Sequence, residues 1–146
     1  VFVARPDAHL SDPCRPDVRE LCDRIQQELL HKVDPQLANH LQREGVSSHL
    51  YGIKWVRLMF AREFSLQDML VLWDFLFAGF FEGHSLLEMV EVVSVAMIHL
   101  LRDQLLQSDV HECLSQLMRY PGVSKIEELL TLSAVIQSDP DSLSRR

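Results

Sequence analysis

The sequence predicts an all-α domain, and three observations lead to that prediction. Apolar residues recur at three- and four-residue steps through most of the 146 residues, which is the spacing of a helix face. Residues that cap helices stand at regular intervals along the chain. No segment alternates convincingly between polar and apolar residues, as a half-buried strand would. We therefore expect a globular array of about seven helices with no fixed internal repeat.

The N-terminal residues predict an irregular leader followed by the first helix. Three prolines, Pro6, Pro13 and Pro16, interrupt 1–16, where apolar residues show little periodicity. This pattern favours an extended leader. Pro16 is well placed to open a helix over 17–32, because apolar residues at helical spacing follow it.

Capping residues predict where the later helices begin. Asp34 is a good cap, Pro35 suits the first helical position, and Gly45 ends the short helix 35–44. Serines followed three residues later by a carboxylate form three capping boxes, at Ser65 and Asp68, Ser85 and Glu88, and Ser124 and Glu127. The remaining predicted helices are 48–61, 66–79, 85–107, 109–119 and 125–137, which makes 17–137 one helical domain before a polar tail at 138–146.

Two of these helices are apolar on nearly all sides, over Met69–Phe81 and Met89–Leu106. All-round hydrophobicity predicts that several neighbouring helices bury each of them. Aromatic residues cluster in and before the first of the two, and their helical spacing favours a place in the core over a ligand pocket. These aromatic residues are Phe60, Phe64, Trp73, Phe75, Phe77, Phe80 and Phe81.

Composition excludes several classes of function. The formal net charge is −7, and it arises in 65–146, since 1–64 carries nine basic and nine acidic residues. An acidic surface repels phosphate, so we expect no nucleic-acid partner.

Three cysteines without a CxxC pair indicate a reducing compartment, the cytoplasm. The near-apolar stretch Val92–Leu101 is about half the length of a membrane span, so none is expected.

The sequence carries no enzyme site of its own. Phosphate-binding loops of the form GxxxxGK[ST], dinucleotide fingerprints of the form GxGxxG and nucleophile elbows of the form GxSxG do not occur. His111 and Glu112 resemble the start of a zinc-protease motif, but Ser115 stands where the second histidine is needed. We therefore expect no catalytic residue, no metal and no cofactor.

Three blocks resemble the second half of TBC domains, the GTPase-activating domains for Rab proteins. The blocks are Val33–Leu37, Gly52–Phe64 and Leu72–Phe77, in the order and spacing of that family. The later run Cys113–Pro121 resembles the TBC subgroup associated with retromer and endosomal traffic. The resemblance covers about 17–137 and implies the C-terminal subdomain of a TBC domain. Since the chain begins at Val1 rather than Met, we expect a piece of a longer protein.

The catalytic motifs of the family are absent from this chain. TBC proteins supply an arginine finger from I-x-x-D-x-x-R and a glutamine finger from Y-x-Q, both N-terminal to the part matched here. Neither pattern is completed, because Ile53 and Gly122 follow the two tyrosines at the glutamine position and Ser142 replaces the arginine after Ile136. Such an arginine finger contributes about 10³ to 10⁵ in rate. The resemblance therefore implies a regulator of a GTPase without finger residues, not an enzyme.

We expect the partner-binding residues to be Tyr51, Lys54, Arg57 and Arg62, which lie in or beside the second matched block. Arginine and tyrosine are common interface anchors. The structural alternative for Lys54 and Arg57 is that their charged ends extend to solvent past apolar neighbours or form an internal ion pair, for instance with Asp68 or Asp74.

Two functions remain open from the sequence. In the first, the chain is the C-terminal part of a Rab GTPase-activating protein in vesicle trafficking, supports the missing N-terminal half and helps to dock GTP-bound Rab. In the second, it is a non-catalytic helical interaction module that binds a Rab or another trafficking partner. The expected location is the cytoplasm, at the periphery of endosomal membranes.

Overall fold

Eight helices make up the described part of the chain, residues 17–145 of the computed structural model. The leader predicted at 1–16 lies outside the described residues. The helices are α1 (18–33), α2 (Pro35–Arg43), α3 (Ser48–Arg57), α4 (Leu66–Phe81), α5 (Leu86–Leu100), α6 (Arg102–Leu106), α7 (Val110–Met118) and α8 (Ile126–Ser138). Residues 17–145 contain no strand, so the all-α prediction is confirmed.

Helix α1 is not uniform along its length. Two α-helical stretches, Val18–Asp23 and Leu30–Val33, flank a π-helical stretch at Arg24–Leu29. Within it the Leu30 amide donates to the carbonyl of Ile25, five residues back, which is the hydrogen bond of a π-helix. The wider turn brings Ile25 and Leu30 to the same buried face, although they are five residues apart.

Side-chain caps form at most of the predicted helix starts. Asp34 accepts a hydrogen bond from the Leu37 amide, and Ser65 and Ser85 accept from amides three residues ahead. The box predicted at Ser124 is wrong: α8 begins after Lys125 and has no side-chain cap.

The predicted helix over 85–107 is two helices. Leu101 has φ −93° and ψ 11°, and its amide donates to Ile98, three residues back. This geometry ends α5, and α6 begins at Arg102, which gives eight helices instead of the expected seven or so. The predicted helix over 48–61 ends earlier, at Arg57.

Helix α5 lies at the centre of the array. All residues from Met89 to Ile98 are buried, and α5 contacts α1, α3, α4 and α8. The prediction that several neighbours bury this helix is confirmed. Ser94 and Glu91 are the polar residues of this stretch, and each has a partner: Ser94 donates to the Val90 carbonyl, and Glu91 pairs with Arg24.

The same prediction is wrong for α4. Its inner face places Leu72, Leu76 and Gly79 against the rest of the array, but its outer face is open to solvent. Of the aromatic residues expected in the core, Phe60 is buried, and Phe64, Trp73 and Phe75 are partly buried against it. The remaining three are exposed, namely Phe77, Phe80 and Phe81.

Helix α8 packs against α5 and α4. After Ser138 the chain continues as turns, and Leu143 packs back against the core. Among the described residues, no helix is long and apolar enough to cross a membrane.

Candidate partner-binding site

The candidate site consists of the end of α3 and the turn 58–64, the segment with the cations predicted to bind a partner. Met59 and Phe60 have φ values of 47° and 65°, which is the left-handed region that residues with side chains rarely adopt. Two successive residues in this region cost about 1–3 kcal/mol each, and such strain tends to occur at functional sites.

Three interactions hold this turn in place. The Phe60 amide donates to the Trp55 carbonyl at 3.0 Å, and the Phe60 ring is buried. Trp73 reaches across from α4, and its indole Nε1 donates to the Met59 carbonyl at 2.8 Å. The strained backbone is therefore held by hydrogen bonds to α3 and to α4.

Lys54 stabilises the turn by forming an ion pair with a buried carboxylate. Its Nζ lies 2.9 Å from Oε1 of Glu63, whose side chain is almost fully buried, and it donates to the Met118 carbonyl at 2.9 Å. The internal ion pair expected for Lys54 forms, but its carboxylate is Glu63 and not Asp68 or Asp74. Sequence reasoning missed Glu63 because the left-handed turn, and not a helical spacing, brings it back to Lys54.

Arg57 and Arg62 are exposed in the described part of the chain. Arg57 ends α3 and Arg62 lies in the turn, and within residues 17–145 neither forms an ion pair. An exposed arginine fixed on a strained turn can donate several hydrogen bonds to a carboxylate or phosphate of a partner.

Tyr51, the fourth predicted partner-binding residue, lies in the core beneath this turn. Its side chain is 1% exposed, and its hydroxyl donates to Oε1 of Gln26 in α1. Burial raises the pKa of its phenol far above the ordinary value. The ring packs against that of Trp55 at an angle of 58°, with the centroids 4.9 Å apart. Tyr51 therefore supports the site from beneath.

A second polar cluster forms around Asp34, of which the sequence predicted only the helix cap. Asp34 caps α2 with one carboxylate oxygen, and its other oxygen accepts from Arg102 at 2.6 Å and lies 3.2 Å from Nδ1 of His99. Burial opposes ionisation of Asp34, but the hydrogen bonds from His99, the Leu37 amide and Arg102 outweigh it and lower its pKa. The cluster ties α2 to the break between α5 and α6.

The described part of the chain offers neither a cluster of metal-binding side chains nor a reactive cysteine. No group of three or more His, Cys, Asp or Glu side chains within 17–145 is placed to hold a metal ion. Cys22 and Cys113 are both buried, and burial raises the pKa of each thiol to about 11. Neither is a reactive nucleophile at neutral pH.

Sequence and structure comparisons agree on one family. The model of the Rab-GTPase-TBC domain matches residues 7–106. The chain is 44% identical over 118 residues to human TBC1 domain family member 5, covering 81% of this chain and 14% of that protein. It is 32% identical to TBC1 domain family member 5 homolog A of Dictyostelium discoideum, over 77% of this chain and 9% of that protein.

The fold is similar to that of a solved Rab-GAP domain. The crystal structure of the Ypt/Rab-GAP domain of Gyp1p matches with a TM-score of 0.74 at 28% identity, over 84% of this chain and 38% of that domain. The chain thus spans well under half of the solved domain and a small part of the curated relatives. The family match, the relatives and the shared helical fold together show that the chain belongs to the Rab-GTPase-TBC domain family.

Proposed function

We propose that this chain is the C-terminal part of a Rab GTPase-activating protein, and that it contributes to the fold and to docking of GTP-bound Rab. The observation that carries the proposal is the match of the Rab-GTPase-TBC model to residues 7–106, which is most of the helical array. The relatives and the Gyp1p domain extend well beyond the matched region. In our proposal, the N-terminal half of the domain is therefore the second partner of this chain.

The chemistry of GTP hydrolysis is assigned to that N-terminal half. The sequence of this chain completes neither I-x-x-D-x-x-R nor Y-x-Q. Without a finger residue, nothing from this chain offsets the charge that develops on the transferring phosphoryl group or orients the attacking water. A Rab bound by this chain alone is expected to hydrolyse GTP at its own slow rate.

Arg57 and Arg62 are the proposed Rab contacts, with Lys54 as a positioning residue. The two guanidinium groups are exposed and unpaired among the described residues, whereas the Lys54 ammonium is engaged by Glu63 and the Met118 carbonyl. Lys54 therefore acts through the turn that carries Arg62. The proposed role in vesicle traffic at endosomal membranes rests on the resemblance of Cys113–Pro121 to the TBC subgroup associated with that traffic.

The test of this function is single-turnover hydrolysis of GTP by a panel of Rab proteins. We expect no acceleration by this chain alone and an acceleration of at least about 10³ when the upstream region with its fingers is restored. Acceleration by the chain alone would contradict the assignment. Rab binding by both forms without acceleration by either would favour the non-catalytic interaction module.

The docking residues are tested by charge reversal. Arg57→Glu and Arg62→Glu should each weaken binding of a Rab loaded with a non-hydrolysable GTP analogue by about tenfold. The melting temperature should change little, because both side chains are exposed. Arg43→Glu is the matched control, since Arg43 is also exposed and forms no ion pair within 17–145 but lies in the last turn of α2. A large loss of stability with normal binding would assign the tested arginine to the fold.

A further inference from the structure

The outer face of α4 carries an apolar stripe that the fold of residues 17–145 does not use. We define the α4 stripe as Leu66, Leu70, Asp74, Phe77 and Phe81, which follow one another at four- and three-residue steps along one helix face. Its four apolar members are 68%, 52%, 42% and 83% exposed, in chain order. The opposite face of the same helix packs inward.

This exposure is too extensive to be incidental. Val71 and Phe80 flank the stripe and are also exposed, and the rings of Phe80 and Phe81 pack edge to face at its C-terminal end, with centroids 5.8 Å apart. A contiguous apolar patch of this kind marks an interaction site. The stripe is about 22 Å long, which is the length of about four turns of a partner helix.

Asp74 determines what kind of partner fits. It is exposed, lies near the middle of the stripe and forms no ion pair within residues 17–145. A second copy of this chain, paired through the same face around a two-fold axis, would bring the two Asp74 carboxylates together at the centre. Two carboxylates brought close together repel each other, so the stripe selects against self-association.

We propose that the α4 stripe seats an amphipathic helix with large apolar side chains on one face and a lysine or arginine at its centre, opposite Asp74. The helix comes from the part of the Rab-GAP domain that this chain lacks. This assignment of source rests on the proposed function, and it is supported by the coverage of the solved Rab-GAP domain, of which the chain matches 38%. The inward contact of Gly79 with Met89 holds α4 close to α5 and keeps the stripe facing outward.

The first test uses two synthetic helical peptides and the full chain. Each peptide carries leucines at the spacing of the stripe and differs only at the central position, which is lysine in one and glutamate in the other. We expect the lysine peptide to bind at least about tenfold more tightly. Asp74→Lys should reverse that preference, and Phe77→Glu should weaken the lysine peptide by about 30-fold.

The matched control is Leu100→Glu, which places the same charge on another exposed apolar residue, at the end of α5. It should leave peptide binding unchanged. Equal affinity for the two peptides, no reversal by Asp74→Lys or no binding of either peptide would overturn the proposal. A concentration-dependent dimer of the wild type that Phe77→Glu dissociates would assign the surface to a second copy.

The second test addresses the source of the helix. In a chimera, residues 1–146 replace the matching region of human TBC1 domain family member 5, so that the human N-terminal part of the domain precedes them. Phe77→Glu should lower the melting temperature of the chimera by several degrees but leave that of the isolated chain nearly unchanged. Equal effects in the two contexts would overturn the proposed source. Rab binding through Arg57 is measured separately, so failure of the stripe and failure of the proposed function give different results.

Discussion

Asp34 shows how one side chain can serve two levels of structure. Its role as the cap of α2 is local, and the Asp-Pro sequence predicted it. Its second role depends on Arg102 and His99, which lie 68 and 65 positions away. No local pattern predicts such a pair, because the fold alone brings these residues together.

We expect Asp34→Asn to lower the free energy of unfolding by about 2 kcal/mol at pH 7, since asparagine keeps the cap but loses the charged hydrogen bonds. The pKa of Asp34 is lowered in the folded state. Its contribution is therefore present above the unfolded pKa of about 3.9 and disappears as pH falls through the lower folded value. Urea titrations between pH 7 and 3 should show a constant difference down to about pH 5 that narrows below about pH 4.

Asp109→Asn provides the control for this pH dependence. Asp109 also caps a helix, α7, by accepting from the Glu112 amide, but it is exposed and has no ion pair within 17–145. Its substitution should cost less than about 0.5 kcal/mol. A difference between wild type and Asp34→Asn that does not narrow between pH 5 and pH 3 would contradict the assigned role of the carboxylate.

The two tryptophans differ in burial, although both lie in apolar helices. Trp55 is fully buried between Tyr51, Phe60 and Tyr120, whereas Trp73 is partly buried and has one hydrogen bond to the turn. Trp55→Ala should destabilise by about 3–5 kcal/mol and Trp73→Ala by about 1–2 kcal/mol. Thermal or urea unfolding followed by circular dichroism measures both, and a larger loss for Trp73 would contradict the structure.

At the scale of elements, the crossing of α1 and α3 depends on one glycine. A Cβ atom added at Gly52 would lie 2.7 Å from Sγ and 3.3 Å from Cβ of Cys22. Cys22 is buried, and rotation of its sulfur would leave the 3.3 Å contact with its Cβ in place, so the two helices would have to separate. Gly52→Ala should therefore destabilise by about 1–3 kcal/mol.

Cys22→Ala removes the obstructing sulfur atom and tests that explanation. The double variant should lose less stability than the sum of the two single variants, which a double-mutant cycle in urea detects as a favourable coupling energy. Gly79→Ala is the comparison, because the atoms nearest to its added Cβ belong to the flexible side chain of Met89. Strict additivity of Gly52→Ala and Cys22→Ala would show that the sulfur contact does not limit the crossing.

Helix starts were more predictable than helix ends. Starts depend on a short-range hydrogen bond from an amide to a side chain, and Asp34, Ser65 and Ser85 provide it as expected. The early end of α3 depends on the left-handed turn, which Glu63 and Trp73 stabilise from outside the helix. The break at Leu101 is next to the long-range contact of Arg102 with Asp34. Neither end has a glycine or proline signal.

At the scale of the whole molecule, the reactivity of Cys22 and Cys113 measures global unfolding. Cys22 and Cys113 are buried, with thiol pKa values of about 11, so at pH 8 their thiolate fraction is about 10⁻³. In the Cys14→Ser variant we expect no reaction with a disulfide reagent over minutes under native conditions, and two reactive thiols in urea. Rapid modification of one thiol without urea would show local opening at that helix.

The all-α class and the family resemblance were predictable from periodicity and from three motif blocks, but the burial of α4 was not. The sequences of α4 and α5 are almost equally apolar, yet α5 is enclosed by four helices and α4 by neighbours on one side only. Hydropathy measures the preference of a side chain for an apolar neighbour and does not say which molecule supplies that neighbour. Tyr51 shows the converse, since a residue type that is frequent at interfaces lies here in the core.

The π-helical stretch of α1 has a consequence for length variation among related chains. Ile25 and Leu30 share a buried face across five residues, and Gln27 lies between them on the exposed side. Deleting Gln27 would put the same two anchors four residues apart, which is the ordinary α-helical spacing. A homologue with one residue fewer at this point can therefore form a regular helix with the same interior contacts, and alignments should admit a single gap there.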